Sequence, residues 1–238
     1  MIGMSRAPRL VIPGIPHHVT QRGNRRGDLF FCDEDRLVFL EMLFEACVKS
    51  ALALIAYCLM SNHIHLEAVP STKKSLSDAL HRLFTRYAHY INRARGWQGH
   101  LVQNRFFSSP LDDEHSWLTC RYIENNPVRA GLAPQPADYR WSSAYLRSRN
   151  IADPLIDSGN LWYSKVVKGQ ETLSPAEMQR FSESLHRAHA RNFPIGSEAF
   201  LSKLEEEYQR DFKLRGRGRP KRISRAEESQ IRSLLAAA

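Results

Sequence analysis

Apolar and polar positions recur with two distinct periods along the first 130 residues, and these periods mark out short strands and amphipathic helices. After Pro13, Gly14 and Pro16, the segment His17 to Gln21 reads as a strand running into a polar, basic turn, Arg22-Gly23-Asn24-Arg25-Arg26. Leu37, Leu40, Phe44 and Val48 then follow helical spacing behind Asp33, a candidate cap. Ala51 to Met60 is a continuous apolar run, which predicts a central strand buried on both faces. Ser61 and Asn62 make a tight turn, and His63 to Val69 alternates. Its one face carries His63, His65 and Glu67, its other Ile64, Leu66 and Ala68.

A second helix spans about Leu76 to Ile91, with Leu76, Leu80, Leu83, Tyr87 and Ile91 on its apolar stripe and Gly96 and Gly99 after it. Leu101 to Leu111 supplies a fourth strand, and Ser116 to about Asn125 a further helix stopped by Pro127. The order βαββαβ followed by a helix predicts an α+β, ferredoxin-like fold. In that fold two helices cover one face of an antiparallel sheet and the other face stays available for a ligand or an additional helix.

Beyond residue 160 the pattern changes. Ser174, Pro175 and Glu177 form a capped helix start, and Ser197 opens a second helix through Phe212. Both are strongly charged. From Lys213 to Arg225 come seven basic residues and no acidic one, interrupted by Gly216, Gly218 and Pro220, a composition that builds no core. The expected organisation is a compact domain over residues 1–160 and a helical, basic C-terminal extension over 161–238.

The charge balance, 34 Lys and Arg against 25 Asp and Glu, gives +9 and a pI near 9.6, which favours a polyanionic partner such as nucleic acid. Cys32, Cys47, Cys58 and Cys120 are scattered without a C-x-x-C pair, so they read as reduced, mostly buried thiols. Met1 to Leu10 lacks the apolar run of a signal peptide, and no stretch is long enough to span a membrane. A cytoplasmic location is expected.

Strand alternation brings His63 and His65 to one face, about 6 to 7 Å apart, close enough to converge on one ion. Two imidazoles are an incomplete site. Glu67 is one candidate third ligand and Asn126 the other. Asn126 follows Tyr122 by four residues and shares its helix face if the helix persists, but as the residue before Pro127 it is biased towards a turn. A tyrosine in such a place suits DNA chemistry, because a phosphotyrosine bond stores the energy of the broken phosphodiester for later resealing. By itself Tyr122 reads first as a packed helix aromatic, as most tyrosines do.

The order of motifs decides between these readings. The stretches His17-His18-Val19-Thr20-Gln21-Arg22-Gly23-Asn24, Met60-Ser61-Asn62-His63-Ile64-His65-Leu66, Gln103-Asn104-Arg105-Phe106 and Tyr122 to Gly131, extended by Trp141-Ser142-Ser143, resemble the single-tyrosine HUH transposases. Within that superfamily, related to IS200-like insertion-sequence enzymes, they are most similar to the REP-associated tyrosine transposases. The resemblance implies a metal-dependent DNA transposase and endonuclease that cleaves and rejoins single-stranded, hairpin-bearing DNA through a 5′-phosphotyrosine. It implies Tyr122 as nucleophile, His63, His65 and Asn126 as metal ligands, and Mg²⁺ or Mn²⁺ as the ion. It also implies a palindromic DNA hairpin as partner, in a bacterial, nucleoid-associated setting, with the protein a monomer or homodimer. Glu67 departs from the apolar residue common in relatives. Arg22, Arg25, Arg26 and Arg105 are candidate phosphate or base contacts. The tail with Arg217, Arg219, Lys221 and Arg222 resembles an AT-hook around Gly218-Arg219-Pro220. Two other readings share the fold: a catalytically silent DNA-binding protein and an HUH replication initiator.

Overall fold

The computed structural model describes residues 9–157, 159–168 and 174–212. Four strands, β1 His17–Arg22, β2 Leu52–Leu59, β3 His63–Pro70 and β4 Phe107–Pro110, form one antiparallel sheet in the order β2-β3-β1-β4. Helices α1 Asp33–Lys49 and α2 Ser75–Arg95 pack on one face, where Val19, Ile64, Leu66 and Ala68 meet Phe39, Leu43, Leu80 and Leu83 in the main core. The α+β sandwich expected from the pattern is present. Helix α3, Asp113–Arg129, lies on the opposite face, followed by the short helices α4 Ser143–Arg147 and α5 Leu161–Lys168. Then come α6 Pro175–His189 and α7 Glu198–Tyr208.

Helix α2 buries the stripe its spacing predicts, Leu76, Leu80, Leu83, Tyr87 and Ile91, and ends at Gly96, whose φ of 64° is the left-handed C-cap that glycine adopts without strain. Helix α1 turns differently from expectation. Leu37, Phe44 and Val48 are exposed, and Phe39, Leu43, Ala46 and Cys47 point inward. Its cap also differs: the Asp35 carboxylate accepts from the backbone N–H groups of Phe31 (2.8 Å) and Cys32 (3.2 Å), while Asp33 sits one residue inside the helix.

Strand β2 is buried on both faces but is the edge of the sheet. Its outer backbone is covered by chain from further on: Leu59 N–H donates to Trp141 O, Tyr57 N–H to Ser143 Oγ, and Leu54 O accepts from Asp157 N–H. Strand β4 is also shorter than the predicted Leu101 to Leu111, with Val102 and Leu111 making only isolated bridges. Helix α3 does not stop before Pro127, which lies inside its last turn.

A second apolar cluster joins α3 to the C-terminal region, bringing Cys120, Tyr122 and Ile123 against Phe181, Leu185, Ala188 and Ile195. Helix α6 begins with the capping box read in the sequence, Ser174 and Glu177 bonding each other's backbone N–H. The AT-hook-like residues Arg217, Arg219, Lys221 and Arg222 lie outside the described residues. Among the described residues no helix is long and apolar enough to cross a membrane.

Candidate functional site

The sheet face beneath α3 and α6 is polar. Antiparallel register sets His65 opposite Thr20, Glu67 opposite His18, His63 opposite Arg22, and His18 in turn opposite Ser109. His17, by contrast, is held locally: its Nε2 accepts from Ile12 N–H (3.2 Å), and its Nδ1–H donates to Ile15 O (2.8 Å).

His63 and His65 leave the same face of β3 with ring centroids 4.9 Å apart. His63 Nδ1 donates to Asn62 Oδ1 at 2.6 Å, and His65 Nδ1 lies 3.0 Å from His18 Nε2. Each ring thus commits one nitrogen to a neighbour and leaves Nε2 uncommitted, the arrangement that fixes the orientation of metal-ligating imidazoles. Burial, reinforced by nearby cationic groups, lowers His63 to about 4 and holds His65 well below its usual value. Both rings are therefore neutral, as a metal ligand must be. Among the described residues no group of three or more His, Cys, Asp and Glu could hold a metal ion.

Glu67, on the same strand face, is fully buried; its Oε1 accepts from Ser116 Oγ on α3, and burial keeps the carboxyl well above its usual range. Asn126 is better placed. Because α3 continues through Pro127, Asn126 sits one helical turn from Tyr122 with 9 % exposure, and its Nδ2 donates to the carbonyl oxygens of Tyr122 (2.9 Å) and Ile123 (3.4 Å). Its amide oxygen is the atom left for a ligand.

Helix α3 carries the Tyr122 ring over the histidines, 5.6 Å from His65 and 6.0 Å from His18 between centroids. Burial raises its phenol, and the Arg129 guanidinium, 5.2 Å from the ring centroid, opposes that shift together with the polar side chains of Ser182 and Asn126. Tyr122 Oη lies 2.7 Å from Nε2 of His186 on α6. One turn further on, His189 bridges Thr20 of β1 (2.7 Å) and Ser109 of β4 (3.2 Å) and packs 4.5 Å from His18.

Four residues here escaped sequence reasoning: His18, Arg129, His186 and His189. The first two fall inside motifs already singled out. The others sit beside the Phe181-Leu185-Ala188 stripe of α6, a helical periodicity hidden by the charge of that segment.

The candidate arginines divide. Arg22 reaches the mouth of the site, where it and Arg129 depress His186. Arg25 and Arg26 are exposed in the turn after β1, both with positive φ. That turn is closed by Gly23, where an added Cβ would lie 2.1 Å from Gly27 O, and it is anchored to the 61–62 turn through Gly23 N–H to Asn62 O (2.9 Å). Arg105 is elsewhere, lining an open cleft of about 660 Å³ against α2 with Arg9, His81 and Phe106.

The sequence model of the family described as "Transposase IS200 like" matches residues 13–126, a span that begins before β1 and ends at Asn126. Over that span, just under half of the chain, the sequence is similar to this family of transposases. A solved structure of a REP-associated tyrosine transposase bound to a REP hairpin shares the fold at 18 % identity and a TM-score of 0.53, covering 64 % of this chain and 90 % of that one. A crystal structure of a putative transposase from Deinococcus radiodurans is similar over 51 % of this chain and 97 % of its own, at 19 % identity and a TM-score of 0.36. A search of curated proteins finds no match.

Proposed function

We propose that this chain is a transposase of the single-tyrosine HUH kind, which cleaves and rejoins single-stranded DNA beside a hairpin through a 5′-phosphotyrosine on Tyr122. The observation that carries the reading is the Tyr122 ring set edge-on to His65, itself 4.9 Å from His63, on a helix that also presents Asn126.

In this reading His63, His65 and Asn126 would hold the ion, Mg²⁺ or Mn²⁺. Bound there, it would draw charge from the scissile phosphate and orient it for in-line attack. The protein's own part is positional. His18 and Asn62 fix the two imidazoles, the helix fixes Tyr122, and Arg22 and Arg129 at the mouth present cationic forks to a phosphate. Exposed Arg25 and Arg26 extend this basic surface along the turn, and the basic tail adds sequence-tolerant, salt-sensitive contacts. The hairpin partner follows the REP hairpin bound by the solved transposase of the same fold.

The test incubates the protein with labelled, hairpin-bearing single-stranded oligonucleotides and Mg²⁺ or Mn²⁺, and looks for a covalent adduct on a denaturing gel. Wild type is expected to form the adduct and Tyr122→Phe to form none. Hairpin binding without any adduct would identify a DNA-binding protein that has lost the reaction. An adduct retained by Tyr122→Phe would remove Tyr122 from its role.

A further inference from the structure

We propose that His186, on the C-terminal helix α6, is the proton acceptor for Tyr122, so that a segment outside the family-matched residues completes the reacting centre. The inference rests on the reading of Tyr122 as nucleophile.

Three observations converge on His186. Its Nε2 is 2.7 Å from Tyr122 Oη, with the rings edge to face at 86° and centroids 5.9 Å apart, so the phenolic hydrogen has a direct acceptor. The Arg129 guanidinium meanwhile lies 5.2 Å from the centroid of the Tyr122 ring and, with Ser182 and Asn126, favours negative charge on the phenol oxygen. None of the other imidazoles near Tyr122 hydrogen-bonds its hydroxyl: His63 bonds Asn62, His65 and His18 bond each other, and His189 bonds Thr20 and Ser109.

The helix is built to hold this contact. Phe181, Leu185 and Ala188 bury α6 against α3, and the His189 bridge pins it to β1 and β4 one turn beyond His186. His186 itself is exposed, as is Arg129, so the Tyr122 hydroxyl meets its acceptor at the mouth of the site. Partial desolvation of the ring against Tyr122, together with Arg129 and Arg22, lowers the His186 pKa and favours the neutral ring that can take a proton.

In cleavage the Tyr122 Oη–P bond forms and its proton passes to His186 Nε2. The P–O3′ bond breaks with its electron pair on the 3′ oxygen, which takes a proton from solvent water. In resealing the 3′-hydroxyl attacks the phosphotyrosine and loses its proton to solvent. The Oη–P bond then breaks, and the imidazolium returns its proton to Tyr122.

The experiment compares single-turnover adduct formation by wild type, His186→Ala and His186→Gln on the hairpin-bearing oligonucleotides, alongside hairpin affinity and thermal unfolding. Both variants are expected to bind and unfold as wild type does and to form the adduct about 100-fold more slowly. Added imidazole should restore part of the rate to His186→Ala. Wild-type rates in either variant overturn the proposal, the Gln variant because it keeps a hydrogen-bonding group but no base. Should His186→Ala prove unstable, the Gln variant decides. The two failures differ: no adduct from wild type defeats the proposed function and this inference together, whereas a fast His186 variant defeats only the role of His186.

Discussion

In the last turn of α3, Asn126 supplies the hydrogen bond that Pro127 removes. Proline has no N–H to offer the Ile123 carbonyl, and the Asn126 amide nitrogen lies 3.4 Å from that oxygen and 2.9 Å from the Tyr122 carbonyl. The pair lets the helix run four residues past Asn125, to Arg129, and so sets the relative positions of Tyr122, Asn126 and Arg129.

Asn126→Ala should therefore cost stability as well as any ligand. Loss of a buried hydrogen bond to backbone is worth about 1 kcal/mol. In a Pro127→Ala background, where the backbone donor is restored, the same substitution should cost less. Urea unfolding of the two single variants and the double variant measures the coupling, and strictly additive effects would show that the side chain does not compensate for the proline.

What the sequence could and could not reveal follows from the same kind of competition. The alternation in β3 and the stripe of α2 were legible because each element has one polar and one apolar face. Helix α1 is apolar on most sides, so Leu37, Phe44 and Val48 formed as good a stripe as the Phe39, Leu43, Ala46 and Cys47 that are buried. The end of α3 was hidden because a general rule about proline met a local side-chain remedy. Tyr122, His63, His65 and Asn126 were visible as a motif order. His186 and His189 were not, because they reach the site from a helix some 60 residues beyond Tyr122, through tertiary packing that no local pattern encodes.

His17 should set part of the acid limit of the fold. Its neutral form both accepts from Ile12 N–H and donates to Ile15 O, and burial lowers it from 6.5 to about 4. As pH falls below 6.5 the unfolded chain binds a proton that the folded one refuses. The stabilisation is thus complete above that pH and is lost on the way down to about 4, at up to about 1.4 kcal/mol per pH unit. His189, lowered to about 3, acts with the same sign. The expected result is an unfolding temperature that is flat near neutrality and falls steadily from pH 6.5 downwards. A histidine NMR titration should find His17 still neutral at pH 5, and a His17 midpoint near 6.5 would contradict the assignment.

Behind α3, the Glu124 carboxylate is 2 % exposed and is held by Ser143 Oγ (2.9 Å) and the guanidinium of Arg147, which joins α3 to α4. Removing one partner of a buried pair strands the other. Arg147→Ala should cost about 3–5 kcal/mol, and adding Glu124→Gln should recover part of that loss. Denaturant midpoints of the two variants decide it. Equal stability of Arg147→Ala and wild type would mean that solvent already carries the charge of Glu124.

His189 and His186 lie one turn apart on α6, yet substitution should separate them. His189 is 8 % exposed and spans two strands, so His189→Ala leaves the Thr20 and Ser109 hydroxyls without their partner and should destabilise the fold by about 1–3 kcal/mol. The exposed His186 bonds only the Tyr122 hydroxyl among these groups, and His186→Ala should stay within about 0.5 kcal/mol of wild type. Hydrogen exchange sharpens the contrast. In His189→Ala the amides of α6 should exchange faster while those of α2 keep their protection, because the bridge ties α6 to the sheet without touching the opposite layer. Uniformly faster exchange across both helices would indicate global destabilisation, and unchanged exchange in α6 would show that Phe181, Leu185 and Ala188 hold the helix without the bridge.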